Sequence, residues 1–319
     1  MFKKLMAKLG VGAATVDLRL DRDAFRLGET MSGAIHIKGG AVEQRITELS
    51  VVVMMKAYVK GQEVTRPIQT IPVLQGFTVQ PEPYTQEVPF TYSIPKELAV
   101  STSAITYFLH TKLDVELALD PTDVDYFRLL PHAPVEKVMH VLEHIGFRQK
   151  SDSGKLTPYG QEFAFYPAES FRRSLNEMEI IFFETQDEVR LLVEFDIQQG
   201  FLRKEIERKA EISIPREYLQ DGHEDELTKY LYEKIEFCIS NPGSIPFVSL
   251  SQYRDVYPGY KGHGVGGMIG GMAAGLLGGL LLGEMMSEAG ELLGMDDLFE
   301  ADGGDDSDGG DFGDFGDFE

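Results

Sequence analysis

His140-Val141-Leu142-Glu143-His144 spells His-x-x-Glu-His, the inverted order of a zinc-hydrolase motif. Imidazoles four residues apart share one face of a helix. There they can hold a single zinc ion while the intervening carboxylate draws a proton from zinc-bound water. Glu136 continues the line one turn earlier. Two observations weaken this chemistry. A catalytic zinc takes three protein ligands, and no downstream glutamate stands out as the third. Val135, Val138, Met139, Leu142 and Ile145 recur at helical spacing in the same stretch, so His140, Glu143 and His144 are also what the solvated side of an amphipathic helix carries. Zinc hydrolysis by these three residues is the alternative reading. The leading expectation is no metal, no cofactor and no catalysis.

Other catalytic spellings fail sooner. Asp311-Phe312-Gly313 and its copies match a kinase tripeptide, but no Gly-rich nucleotide loop, strand lysine or catalytic loop precedes them. Gly154-Lys155 lacks the glycine and hydroxyl spacing of a phosphate loop, and no Gly-x-Ser-x-Gly elbow occurs. The stretch from Asp302 to Asp311 does not fit the calcium-loop template. Cys238 falls on the apolar side of a helical pattern, which points to packing and not to nucleophilic attack. As the single cysteine it cannot close an internal disulfide, which fits a reducing compartment and makes the cytoplasm the expected location.

The elements around these residues are mainly strands. Ala14, Val16, Leu18 and Leu20 alternate with polar residues, and a turn from Asp23 to Glu29 leads to Met31, Ile35 and Ile37. Leu49, Val51, Val53, Met55, Ala57 and Val59 form the longest alternation. Val88, Phe90 and Tyr92 follow, then Leu109 through Leu119. After residues 150–155 the pattern resumes at Phe163 and Phe165, at Ile180 to Phe183, at Val189 to Ile197, and in a strand ending at Ile214. Short antiparallel strands with Pro- and Gly-marked turns point to β-sandwiches. Two helical patterns interrupt them: one opened by Pro134 and stopped by Gly146, the other from Glu224 to Cys238 with Leu227, Leu231, Ile235 and Cys238 on one face. The expected organisation is a sandwich over residues 1–130, a helix-bearing linker over 131–154, a second sandwich over 155–258, a Gly-rich apolar segment over 259–295 and an acidic tail over 296–319.

The order of these segments carries a resemblance. Val16-Asp17-Leu18, the Phe25-Arg26-Leu27-Gly28-Glu29 turn, Ser32 to Gly40, and Pro89-Phe90 with Ile94-Pro95 resemble the N-terminal half of an arrestin-like sandwich. Leu113-Asp114-Val115 through Asp120-Pro121-Thr122-Asp123-Val124-Asp125-Tyr126 to Pro131 resembles the stage-zero sporulation control protein M family, which also carries a Gly-rich apolar segment with acidic flanks. The similarity runs from Met1 to about Glu291 and leaves out the Asp-Phe-Gly repeats. It implies two arrestin-type sandwiches and a regulatory, non-catalytic role in bacterial developmental or stress control. Because members occur beyond spore formers, it does not imply that the organism sporulates. It implies binding to other proteins through sheet edges, loops and an interdomain groove, with Ser32 to Lys38 and the loops flanking Pro81 to Gln86 as contact points.

The net charge of −22 is divided evenly: eleven carboxylates and no basic residue lie from Asp296 onward, and the body before them carries the other half. Both parts repel phosphate, so nucleic acid is not an expected partner. Gly267, Gly271, Gly275, Gly279 and Gly283 fall four apart, a helical stripe without side chains that lets another backbone approach closely. Homo-oligomerisation or docking on a helix of the same chain or of a partner, membrane insertion, and disorder are the readings of that stripe. Val265 to Leu282 is eighteen residues without charge, about 27 Å as a helix and so just short of a hydrocarbon core. At the N-terminus, Phe2, Leu5, Met6 and Leu9 oppose Lys3, Lys4 and Lys8, an amphipathic helix that reads first as a lid over an open sandwich edge and alternatively as a contact with an anionic membrane surface. In the tail, Phe312, Phe315 and Phe318 among aspartates fit a short linear motif for a basic, apolar groove.

Overall fold

The computed structural model describes residues 12–59, 62–116, 118–157, 160–199 and 204–241. The N-terminal amphipathic segment, the glycine stripe with Gly267, Gly271, Gly275, Gly279 and Gly283, and the tail with Phe312, Phe315 and Phe318 lie outside the described residues. Within them the chain is mainly β, with fourteen strands and two α-helices.

The first half contains two sheets. β1 (Thr15–Leu20), β3 (Thr30–Lys38) and β6 (Thr85–Ser93) form one, in the order β1-β3-β6. β2 (Ala24–Arg26), β4 (Gln44–Val59), β5 (Gln62–Val79), β7 (Ile105–Val115) and β8 (Thr122–Leu130) form the other, in the order β2-β8-β7-β4-β5. Period-two alternation sends one set of side chains from each sheet inward. Leu18, Met31, Ile35 and Ile37 are buried from the first sheet, and Leu49, Val51, Val53, Met55, Tyr107 and Leu109 from the second. Tyr107 is fully enclosed, and its hydroxyl donates to the carbonyl of Ala99 at 2.9 Å, which satisfies the one polar atom on a large buried ring.

Several expectations are corrected here. The turn from Asp23 to Glu29 contains β2, which pairs in parallel with β8. The strand expected through Leu119 ends at Val115, because the Asp120 carboxylate accepts the Val115 N–H at 2.9 Å and turns the chain, leaving Leu119 exposed. Ser32 to Lys38 is not an edge: β3 is hydrogen-bonded to β1 on one side and to β6 on the other along its length.

The second half, among the described residues, is one antiparallel sheet backed by helices. β10 (Lys155–Thr157), β11 (Gly160–Tyr166), β12 (Leu175–Glu184), β13 (Glu188–Gln199) and β14 (Lys204–Pro215) follow in order, and β9 (Arg148–Gln149) also pairs with β11. Phe165, Met178, Ile180, Leu191, Val193, Phe195 and Ile212 form its inner face. They share one core with Val138, Val141 and Leu142 of α1 (Ala133–Ile145) and with Leu227, Leu231, Ile235 and Cys238 of α2 (Glu224–Ser240). α1 begins with proline in its first turn and ends at Gly146, whose φ of 109° is open to glycine and strained for other residues. No helix among the described residues is long and apolar enough to cross a membrane.

Candidate functional site

The His-x-x-Glu-His string lies on the outside of α1. His140, Glu143 and His144 are all exposed, while Val141 and Leu142 between them are buried. Glu136 does not complete the line, because its Oε2 accepts two hydrogen bonds from Arg26, from Nε at 2.9 Å and from Nη2 at 2.8 Å. Among the described residues no cluster of three or more His, Cys, Asp or Glu side chains could hold a metal. Among the described residues, then, the two imidazoles have no third ligand beside them of the kind a catalytic zinc takes. Cys238 is buried on α2, and burial raises its thiol pKa, away from the thiolate that nucleophilic chemistry requires.

Among the described residues, a groove lies where the two halves meet. Shallow and open, it has apolar walls of Leu27, Leu98 and Val100 from the first half, Pro131 and Val135 at the start of the linker helix, and Phe163 and Phe182 from the second sheet. Phe163 and Phe182 meet edge to face, with centroids 5.6 Å apart. Lys96, His132, Gln161 and Glu184 add the polar groups.

Each polar group has an assigned task except one. Gln161 is buried and treats Val100 as a strand partner would: its Oε1 accepts the Val100 N–H at 2.8 Å and its Nε2 donates to the Val100 carbonyl at 3.0 Å. The same amide donates to the Gly154 carbonyl at 2.9 Å. Gly154 must be glycine here, since φ is +82° and a Cβ would fall 2.3 Å from Thr102 Cγ2 across the seam. His132, the N-cap residue of α1, has Nδ1 at 2.8 and 3.0 Å from the two oxygens of Glu184. Arg216 completes that cluster, its Nη2 donating to Glu184 at 2.6 Å and to the Thr185 carbonyl at 2.6 Å. Lys96 alone is left over: among the described residues its ammonium makes no ion pair. Its stem lies across Gly28, where a Cβ would meet Lys96 Cγ and Cε at 3.0 Å, and Gly28 has φ of +82°. A residue with a side chain at position 28 would displace the lysine.

Two carboxylate clusters lie away from the groove. Burial, reinforced by the charge of Asp123 and a hydrogen bond with it, pushes the Asp125 carboxyl up to about 7. Asp123 accepts the Leu18 N–H at 2.8 Å and so ties β1 to β8. On the second sheet, burial together with the charges of Glu162, Glu177 and Glu194 pushes Glu179 to about 7.

The sequence reading did not single out Lys96, His132, Gln161 or Glu184, because no local spacing links them. The one signal available was Gly28 within the Phe25 to Glu29 turn, where φ is +82° and the Lys96 stem packs close.

Comparison with known proteins agrees with this architecture. The crystal structure of Spo0M, a sporulation control protein from Bacillus subtilis, matches with a TM-score of 0.57 at 26% identity, covering 71% of this chain and 99% of that one. In sequence, the chain is 32% identical over 250 residues to the sporulation-control protein Spo0M of Bacillus subtilis (strain 168), covering 74% of this chain and 96% of that protein. The sequence profile described as SpoOM protein matches residues 2–199. With the profile covering more than half of its length, this chain belongs to the SpoOM protein family.

Proposed function

We propose that the chain is a non-catalytic regulatory adaptor of the sporulation-control type, working in the cytoplasm and binding a protein partner in the groove between its two halves. The observation that carries this reading is the groove itself: apolar walls from both halves and one ammonium, that of Lys96, with no partner among the described residues. Such a site accepts an apolar side chain flanked by a carboxylate.

Strand addition along sheet edges, the chemistry the resemblance implies, has less support. The edge strand β5 carries Pro67 and Pro72, and the edge strand β6 carries Pro89, each of which removes a backbone donor. The edge strand β14 is lined with Glu207, Arg208, Lys209 and Glu211. These are devices that blunt an edge. Regulation then works through what fills the groove, and oligomerisation through the glycine stripe would multiply the number of grooves.

Partner capture from cells by wild type and by Lys96→Glu tests this. Lys96 is exposed, so the variant is expected to keep its thermal midpoint while losing at least tenfold in captured partner. Equal capture by both would remove the groove from the mechanism.

A further inference from the structure

We infer that Asp123 and Asp125 form a proton-operated latch on the outer edge of β1: while the two carboxyl groups share a proton they hold the backbone of Leu18, and loss of that proton releases the strand.

The pair sits where one sheet of the first half closes on the other. β1 ends its sheet, bonded along one side to β3, and its other side turns to β8. There Asp123 Oδ2 accepts the Leu18 N–H at 2.8 Å, so a side chain stands where a strand partner would. In the ladder between β7 and β8, Asp123 lies opposite Thr111 and Asp125 opposite Leu109. All four side chains therefore share one face, and Leu109 and Thr111 are fully buried on it. Two oxygens in this place have no hydrogen-bond partner among the described residues: Oδ2 of Asp125 and Oγ1 of Thr111.

Two carboxylates this close do not both ionise easily, since each charge raises the cost of the other. One shared proton turns the repulsion into a hydrogen bond, Asp125 donating and Asp123 accepting. Among the described residues the charges that reach Asp125 are those of Asp123 and Asp17, both negative. Asp17 is itself bound to Arg19 at 2.7 Å near the surface, with His36 opposite it on β3. On β7, His110 and Lys112 occupy the alternate positions, which face the other side of the sheet. Lys112 is paired there with Asp120 at 3.0 Å, and burial, then the charge of Lys112, holds the His110 imidazole below its ordinary value. No described cation thus offsets a second negative charge at the pair. Burial, the charge of Asp123, a hydrogen bond with it and the charge of Asp17 together hold the Asp125 carboxyl up at about 7, against an ordinary 3.8.

The sign of the effect follows. Between those two values the closed latch binds a proton that an open, solvated pair gives up, so opening becomes easier as pH rises through the window and levels off above it. Release uncovers the Leu18 N–H and the edge of β1 beside β8. The latch is separate from the groove, and neither depends on the other.

Hydrogen exchange on the full chain with nitrogen-labelled leucine tests this, read by NMR as protection factors so that base catalysis of exchange itself is removed. Between pH 5 and pH 8 the Leu18 amide is expected to lose about tenfold or more in protection, and at pH 8 to lie about tenfold or more below Leu109 of the central strand β7. Asp125→Asn keeps a donor to Asp123 without a titrating proton, so it should hold Leu18 protected at both pH values. Asp123→Ala removes the acceptor and should leave Leu18 weakly protected at both. Protection of Leu18 that is flat with pH, that equals Leu109 at pH 8, or that falls equally in Asp125→Asn would overturn the latch. So would an Asp123→Ala chain as protected at Leu18 as the wild type at pH 5.

Discussion

At the scale of single residues, the chemistry of the seam lies in a few side chains with no slack. Gln161 closes three hydrogen bonds on backbone of Val100 and Gly154, in a place where water does not replace them. Gln161→Leu removes the partner of the Val100 N–H and carbonyl and leaves the Gly154 carbonyl only the Thr102 hydroxyl at 3.4 Å, and chemical denaturation is expected to show a loss of about 1–3 kcal/mol. Asp125 has the opposite character. Its carboxyl keeps a proton up to about pH 7 in the folded chain, against an ordinary value of 3.8, so between those values the folded state binds the extra proton and stability falls as pH rises. Asp125→Asn removes this penalty. Melting of the variant and the wild type should coincide near pH 4 and diverge toward pH 8 in favour of the variant, by about 1–2 kcal/mol once solvent screening of a half-exposed group is allowed for. The solvent exposure of His140, Glu143 and His144 was legible, because the helical period of Val138 and Leu142 already placed them on the outer side of α1. His140→Ala with His144→Ala is expected to change stability by no more than about 0.5 kcal/mol.

At the scale of elements, legibility followed burial on one face. β1 and β3 bury alternate residues, and β4 and β7 send alternate residues into the main core while also burying Val52, Met54 and Phe108 on the other face, so the alternation of all four was plain. α1 and α2 bury one stripe each, and every residue assigned to the stripe of α2 is buried: Leu227, Leu231, Ile235 and Cys238. Leu231→Ala should cost about 2–5 kcal/mol by calorimetry, the range for a leucine deleted from a closed core. Five strands escaped: β9 and β10, only two and three residues long, are too short to show a period, and three others have physical reasons of their own. β2 is three residues long and finds its partner in β8, about a hundred residues later. β5 is an edge with prolines and half-exposed side chains, so no period shows. In β8, positions opposite Leu109 and Thr111 are filled by Asp125 and Asp123, which breaks the apolar pattern where the strand meets β1. In the second half, strand patterns alone gave no indication that α1 and α2 would face the sheet.

At the scale of the whole molecule, the groove was invisible in the sequence because its walls come from distant segments: Leu27, Lys96 to Val100, Pro131 to Val135, Gln161 to Phe163, and Phe182 to Glu184. Only the docking of the two halves brings them together. That docking is fastened by polar contacts, with Arg26 on Glu136 and Gln161 on Val100, so the groove keeps its shape without a covalent link. The central claim is that this groove binds the partner protein. Photo-crosslinking in living cells tests it most directly, with p-benzoylphenylalanine placed at Val135 on the groove wall or at His144 on the exposed side of the same helix. The groove reading predicts a discrete crosslinked partner from position 135 that position 144 does not give and that Lys96→Glu abolishes. A partner captured equally from both positions, or only from position 144, would contradict it.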